Sequence, residues 1–282
     1  MTDLRYDEWT AAQATATVEV DGHDLEVAYY DAGPREGDDT PVVFLHGIPT
    51  NSYLFAAVLE PIAAERRVIL PDMVGYGQSS MHDGFDRSIR AQEVAVSGLL
   101  DQLGVDRFDF VGHDLGGGVG LRLAAHQPDR IDRLVLSNCV AYDSWPIQTI
   151  TDVGLPQTAR ETSVEEMQAM LEELFGSTLY ADEPDDAFVE AMTAPWNSEA
   201  GVVSFCRAAV GTNTSHTTEI DYDGIDVDLL LLWGEHDGFQ PIRWAERLAD
   251  DLGGRLVPMD ANHWVPADRP DEFREELAEF LG

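Results

Sequence analysis

The stretch Phe108-Asp109-Phe110-Val111-Gly112-His113-Asp114-Leu115-Gly116-Gly117 runs a short apolar segment into a Gly-x-Asp-x-Gly turn that opens a helix pattern. It reads as a nucleophile elbow, a strained strand-to-helix turn whose glycines let the backbone crowd its neighbours while one side chain stands clear at the top of a sheet. Serine is the usual occupant of such a turn, and it needs a base before it can attack an acyl carbon. Here the occupant is Asp114. A carboxylate, with an ordinary pKa of about 3.9, is already ionised near neutrality. It can displace a leaving group from a tetrahedral carbon, giving an ester that a second step must hydrolyse.

Outward from the elbow, the pattern predicts an open α/β sheet. Ala14–Val20 and Leu25–Tyr30 alternate around Asp21-Gly22-His23-Asp24, as in a hairpin. Val42–Leu45, Val68–Leu70, Phe108–Val111, Leu134–Leu136, Leu229–Leu232 and Leu256–Val257 are apolar runs suited to parallel strands buried on both faces. Helical periodicity over Tyr53–Ala64, Ile89–Leu103, Gly117–His126, Ile242–Leu252 and Asp271–Leu281 separates them. Such alternation places helices on both sides of a mostly parallel sheet. The rhythm stops between residues 141 and 226, where only helix-like pieces such as Val164–Phe175 and Asp186–Met192 stand among acids and prolines. The expected organisation is a core of residues 1–140 and 227–282 with a helical cap, 141–226, inserted after the strand ending near Ser137. The alternative is an independent second domain.

Composition narrows the partners. The 282 residues carry 53 acidic against 17 basic side chains, every one of the latter arginine, for a formal charge of −36. The acids are spread along a chain that is 44% apolar, which excludes a disordered acidic tail. The pattern reads as a salt-adapted surface, because at molar salt the Debye length shrinks to roughly 3 Å and neighbouring carboxylates no longer repel. A field of this sign excludes nucleic acid and anionic membranes. With no apolar leader in the first ten residues and no run long enough to span a bilayer, a cytoplasmic location is expected. Cys139 and Cys206 have neither metal nor redox spacing and read as buried thiols.

Two further segments follow strands and point to the same crevice as Asp114. Asp237 lies in Leu232-Trp233-Gly234-Glu235-His236-Asp237-Gly238, and His263 in Asp260-Ala261-Asn262-His263-Trp264. Nucleophile, acid and histidine in this order suit a base that activates water and an acid that orients it. Neighbours compete for these roles: Glu235 and His236 share the loop of Asp237, and Asn138 and Asp143 follow the preceding strand, with Asp143 the runner-up acid. His113, beside the nucleophile, is expected to pack. Hydrolysis of an Asp114 ester puts negative charge on a carbonyl oxygen, so backbone N–H donors are needed. Those of Leu115 and of Ile48, in His46-Gly47-Ile48-Pro49, are the candidates. His and Asp are not spaced as ligands, so no metal is implied.

With His46-Gly47-Ile48-Pro49-Thr50-Asn51-Ser52-Tyr53-Leu54 and Pro71-Asp72-Met73-Val74-Gly75-Tyr76-Gly77-Gln78-Ser79, the chain resembles the Asp-nucleophile branch of the α/β-hydrolase superfamily over nearly its whole length outside the cap. The Pro-Thr-x-Ser-Tyr-Leu continuation is similar to haloalkane dehalogenases. Epoxide hydrolases share the His-Gly-x-Pro part and the Asp elbow. The resemblance implies a cofactor-free hydrolase acting with water on a small apolar organic substrate.

The chain departs from the dehalogenase pattern where a Trp after the nucleophile and a polar residue after His-Gly hold the halide. Leu115 and Ile48 stand there. Halide donors must then come from the cap: Trp145, Trp196, Tyr142, Tyr180 or His216. In a chloride-rich cytoplasm a weak halide site is tolerated, whereas a tight one is filled by its own product. Epoxide opening avoids a halide and needs tyrosine O–H groups, for which Tyr142 and Tyr180 are the candidates. A non-catalytic binding protein on the same fold is the third possibility.

Overall fold

The computed structural model of the chain describes residues 4–35, 40–179, 185–211 and 213–282. Among them, eight strands form one sheet: β1 (Ala14–Val20), β2 (His23–Ala32), β3 (Val42–Leu45), β4 (Val68–Pro71), β5 (Phe108–His113), β6 (Ile131–Ser137), β7 (Asp228–Gly234) and β8 (Arg255–Met259). Their order is β1-β2-β4-β3-β5-β6-β7-β8. β2 is antiparallel to β1 and β4, and every other pair is parallel. This is the predicted α/β-hydrolase architecture.

Every residue of β3 and β5 is buried, which is why these strands read as unbroken apolar runs rather than alternating ones. Period-two geometry then divides each strand between two cores. Val43, Leu45, Phe110, Leu134 and Leu231 face one side with Val96, Leu100 and Val119 from helices Ile89–Gln102 and Leu115–His126. Val42, Phe44, Val111, Val135 and Leu230 face the other, against Phe273 and Leu277 of helix Pro270–Leu281. At the β1–β2 turn Asp21 (φ 50) and Gly22 (φ 81) both take positive φ, as a two-residue hairpin requires.

Outside the segment between β6 and β7, the structure departs from the expected elements most clearly as follows. The pattern over 53–64 divides into a 3-10 helix, Ser52–Val58, and an α-helix, Glu60–Glu65, because Pro61 fits only a helix's first turn. Helix Tyr6–Ala12 was not expected, since its fold-determining signal is one residue: Trp9 is fully buried, stacks on Tyr30 at 4.0 Å and donates to Ser52 Oγ at 3.1 Å. The last strand extends through Pro258, tolerated because β8 lies at the sheet edge.

Between β6 and β7 the described residues contain helices and no strand, including Gln148–Val153, Val164–Thr178, Asp186–Thr193 and Glu199–Val210. Ser163 and Glu166 close a capping box at the start of the longest, a local start signal that the sequence reading did not use. No helix among the described residues is long and apolar enough to cross a membrane.

Arg122 ties this helical segment to the core. It is 4% exposed, and its guanidinium donates to Glu93 Oε2 (2.6 Å), Glu219 Oε1 (2.6 Å) and the His216 carbonyl (2.8 Å). Arg122→Ala strands the buried Glu93 carboxylate without its guanidinium, and such a loss costs about 3 kcal/mol. Urea unfolding should show a lower midpoint at constant slope; an unshifted midpoint would mean that the network adds no stability.

Candidate active site

Asp114 sits between β5 and helix Leu115–His126 at φ 51°, ψ −117°, a left-handed conformation that an L-residue adopts at a cost. The turn is held open by glycines. A Cβ on Gly116 would lie 2.1 Å from the Leu45 carbonyl, and one on Gly47 would lie 2.2 Å from Asp114 Oδ1. Their absence lets the loop after β3 close on the carboxylate. Asp114 Oδ1 accepts the Ile48 N–H at 2.9 Å, and the Leu115 N–H also bonds the carboxylate. Both expected backbone donors therefore meet the expected side chain.

The loop that carries Ile48 is itself anchored. His46 Nε2 accepts the Met73 N–H at 3.0 Å, which makes Nδ1 the protonated nitrogen, donating to the Gly47 carbonyl at 2.9 Å. Asp72 takes the N–H groups of Ser52 (2.8 Å) and Gln78 (2.9 Å). The His-Gly-x-Pro and Pro-Asp-x-x-Gly-x-Gly segments thus brace one another around the donor.

His263, after β8, donates from Nδ1 to Asp237 Oδ2 at 2.8 Å and turns Nε2 toward Asp114 Oδ2 at 3.8 Å. Asp237, after β7, also accepts from Asn138 Nδ2 (2.6 Å) and the Phe239 N–H (2.7 Å). Asn138, at φ 42°, uses its Oδ1 to accept the Gly234 N–H at 3.0 Å, so one side chain joins the ends of β6 and β7 beneath the acid. Sequence reading noted Asn138 only as a neighbour; a polar residue in a left-handed position directly after a strand is the signal it offered.

Burial pushes the Asp114 carboxyl up from its ordinary range, and the facing His263 and the two N–H donors only partly offset it. For Asp237 burial acts in the same direction, yet His263 and the hydrogen bonds outweigh it and hold the group at about 2. Burial alone would lower His263; the charge and hydrogen bond of Asp237, with Asp114, raise it instead. His113 packs behind His263 at 4.9 Å between ring centroids, and burial keeps it well below its ordinary value, hence neutral.

These groups open onto a cavity of about 260 Å³ whose walls include Ile48, Trp145, Ile150, Val153, Phe205 and Trp264. Of the five residues between β6 and β7 expected near a leaving group, Trp145 lines it and has an indole N–H with no acceptor among the described residues. Three do not line it. Trp196 spends its N–H on the Pro49 carbonyl (2.9 Å), Tyr142 gives its hydroxyl to Asp251 (2.7 Å), and His216 lies beside Arg122. Tyr180 lies outside the described residues. The rival acids stand apart: Asp143 and Glu235 are exposed, and His236 pairs with Asp260 at 2.9 Å.

Residues 40–270 match the family described as alpha/beta hydrolase fold. The chain belongs to that family. It is 29% identical over 259 residues to 2-hydroxymuconate semialdehyde hydrolase of Pseudomonas putida, covering 87% of this chain and 88% of that one. It is 31% identical over 261 residues to haloalkane dehalogenase 2 of Mycobacterium tuberculosis, covering 88% and 90%. The solved enol-lactonase of Burkholderia xenovorans LB400 superposes with a TM-score of 0.79 at 25% identity, covering 95% of this chain and 99% of that one. This α/β hydrolase thus has relatives with different reactions, and the residue on its elbow becomes the distinguishing feature.

The ion pair sets a stability window. Asp237 falls below its ordinary 3.8, so its contribution is present above that pH and lost as pH drops toward about 2. His263 is raised above 6.5, so its contribution is complete below 6.5 and lost as pH climbs through the folded-state value. The unfolding free-energy difference between wild type and Asp237→Asn should therefore be largest from about pH 4 to 6.5. A difference flat from pH 3 to 9 would deny the pairing.

Proposed function

We propose that the protein is a hydrolase in which Asp114 forms an alkyl ester with an sp3 carbon, in the manner of a haloalkane dehalogenase. The observation that carries this reading is the asymmetry of one carboxylate: Oδ1 is held by the Ile48 N–H while Oδ2 faces His263 Nε2 across 3.8 Å. Attack through Oδ2 breaks the carbon–halogen bond and leaves Oδ1 as the ester carbonyl, already at the Ile48 N–H. Water then adds to Cγ, His263 takes its proton, and the N–H groups of Ile48 and Leu115 stabilise the charge on Oδ1. Asp237 stabilises the imidazolium, which returns the proton to the departing alkoxide. Nucleophile, base and donors are all groups of the chain, so the scheme needs no cofactor.

Trp145 supports a halide as the leaving group. A buried N–H without an acceptor is costly, and an anion in the cavity would satisfy it. Among the described residues no tyrosine lines the cavity, and Tyr142 is engaged by Asp251, which weighs against epoxide opening. Acyl transfer is disfavoured, because carboxylate attack on an acyl carbon gives an anhydride. The residues between β6 and β7 act in this reading as a cap over the site.

The test is to trap the ester. His263→Gln incubated with a bromoalkane should accumulate the mass of the alkyl group on the peptide containing Asp114, and Asp114→Asn should neither accumulate it nor release bromide. Bromide release by Asp114→Asn at the wild-type rate would refute covalent catalysis. Trp145→Phe should lower bromide release by roughly tenfold, the worth of one hydrogen bond to a charged group. An unchanged rate would remove the indole from the leaving-group site.

A further inference from the structure

The helix Val164–Thr178 carries two stripes. Met167, Leu171 and Phe175 are buried. Met170, Glu173, Leu174 and Ser177, at i, i+3, i+4 and i+7, form the adjacent stripe and line the cavity. Glu173 is the member that apolar packing does not explain. Its side chain makes no hydrogen bond or ion pair with any described residue, so the carboxylate is available to a ligand.

Position gives that carboxylate a meaning. Glu173, Ser177 and Thr149 are exposed, whereas Asp114, His263 and Trp145 are buried at the other end. Apolar walls lie between. The cavity is therefore polar at both ends, with an anion at its mouth. No arginine lines it among the described residues, and the histidine that does, His263, is buried beside Asp114, so a carboxylate at the mouth would meet Glu173 without a neighbouring arginine. Like charges in a partly water-excluded cleft repel more strongly than on an open surface.

We propose that Glu173, with Ser177 and Thr149, forms a specificity-determining rim that reads the end of the substrate remote from the reacting carbon, favouring an ammonium group and rejecting a carboxylate. The substrate class is thus an amphiphile with an electrophilic carbon at one end and a cation at the other. The chemistry at the electrophilic end rests on the Asp114 reading; the charge preference at the rim does not.

Terminal bromides of equal chain length, ending in ammonium, hydroxyl or carboxylate, are compared by kcat/KM at one ionic strength. The expected order is ammonium, hydroxyl, carboxylate, with steps of about threefold to fivefold, the upper range of an exposed ion pair. Glu173→Gln should bring the ammonium-to-hydroxyl ratio close to one, and Glu173→Arg should invert the order. Glu172→Gln, which changes the same net charge at a residue that does not line the cavity, should keep the wild-type ratio.

Melting-temperature shifts produced by unreactive hexylammonium, hexanol and hexanoate, taken as wild type minus Glu173→Gln, read the rim without any chemistry. If no bromide is turned over but the ammonium shift depends on Glu173, the Asp114 reading fails and the rim stands. A ratio unaffected by Glu173→Gln, or a melting shift independent of residue 173, overturns the rim whatever the chemistry.

Discussion

The site is built around one buried carboxyl group, Asp114, inside a molecule whose formal charge is −36. Burial favours the neutral acid, and the surrounding field has the wrong sign. Three neighbours work against this: the N–H groups of Ile48 and Leu115 and the imidazole of His263. Two of the three are backbone, so the requirement falls on chain geometry rather than on side-chain identity. Glycine at 47 and 116 is the covalent expression of that requirement, because a methyl group at either position would occupy the space of a carboxylate or a carbonyl.

The same economy governs the rest of the site. Asn138 bridges the acid to the end of β7, His46 and Asp72 brace the donor loop, and His113 fills the space behind the base while staying neutral. None of these groups faces the cavity. They fix the positions of the groups that do face it, and rigid positioning is what preorganised dipoles require. Arg122 extends the bracing to the residues over the site, where a buried guanidinium holds both a core helix and the end of the helical segment.

In the helical segment, legibility followed the strength of local signals. Helix Val164–Thr178 was legible as a helix-like piece over Val164–Phe175, and the capping box of Ser163 and Glu166 that starts it is equally local. Helices such as Gln148–Val153, short and capped without a side-chain bond, did not. Five residues there were reasonable halide donors by type, yet only Trp145 among the described ones reaches the cavity with an unspent N–H. Trp196 and Tyr142 carry the same chemistry and use it on Pro49 and Asp251. Hydrogen-bond partners distant in sequence decide which donor is free, and periodicity carries no record of them.

By itself the sequence determined the sheet, because strands buried on both faces must read as apolar runs, and it determined the elbow, because the Gly-x-Asp-x-Gly spacing admits few other backbones. It also put forward Asp114, Asp237, His263, Ile48 and Leu115 as candidates, each close in the chain to a strand end. Tertiary structure decided what lies between those ends. The pairing of Asp237 with His263, the brace at Asn138, the free indole of Trp145 and the acidic rim at Glu173 all depend on contacts between segments far apart in sequence. Local chemistry restricts which residue can perform a role; only the packing of the whole chain selects which one does.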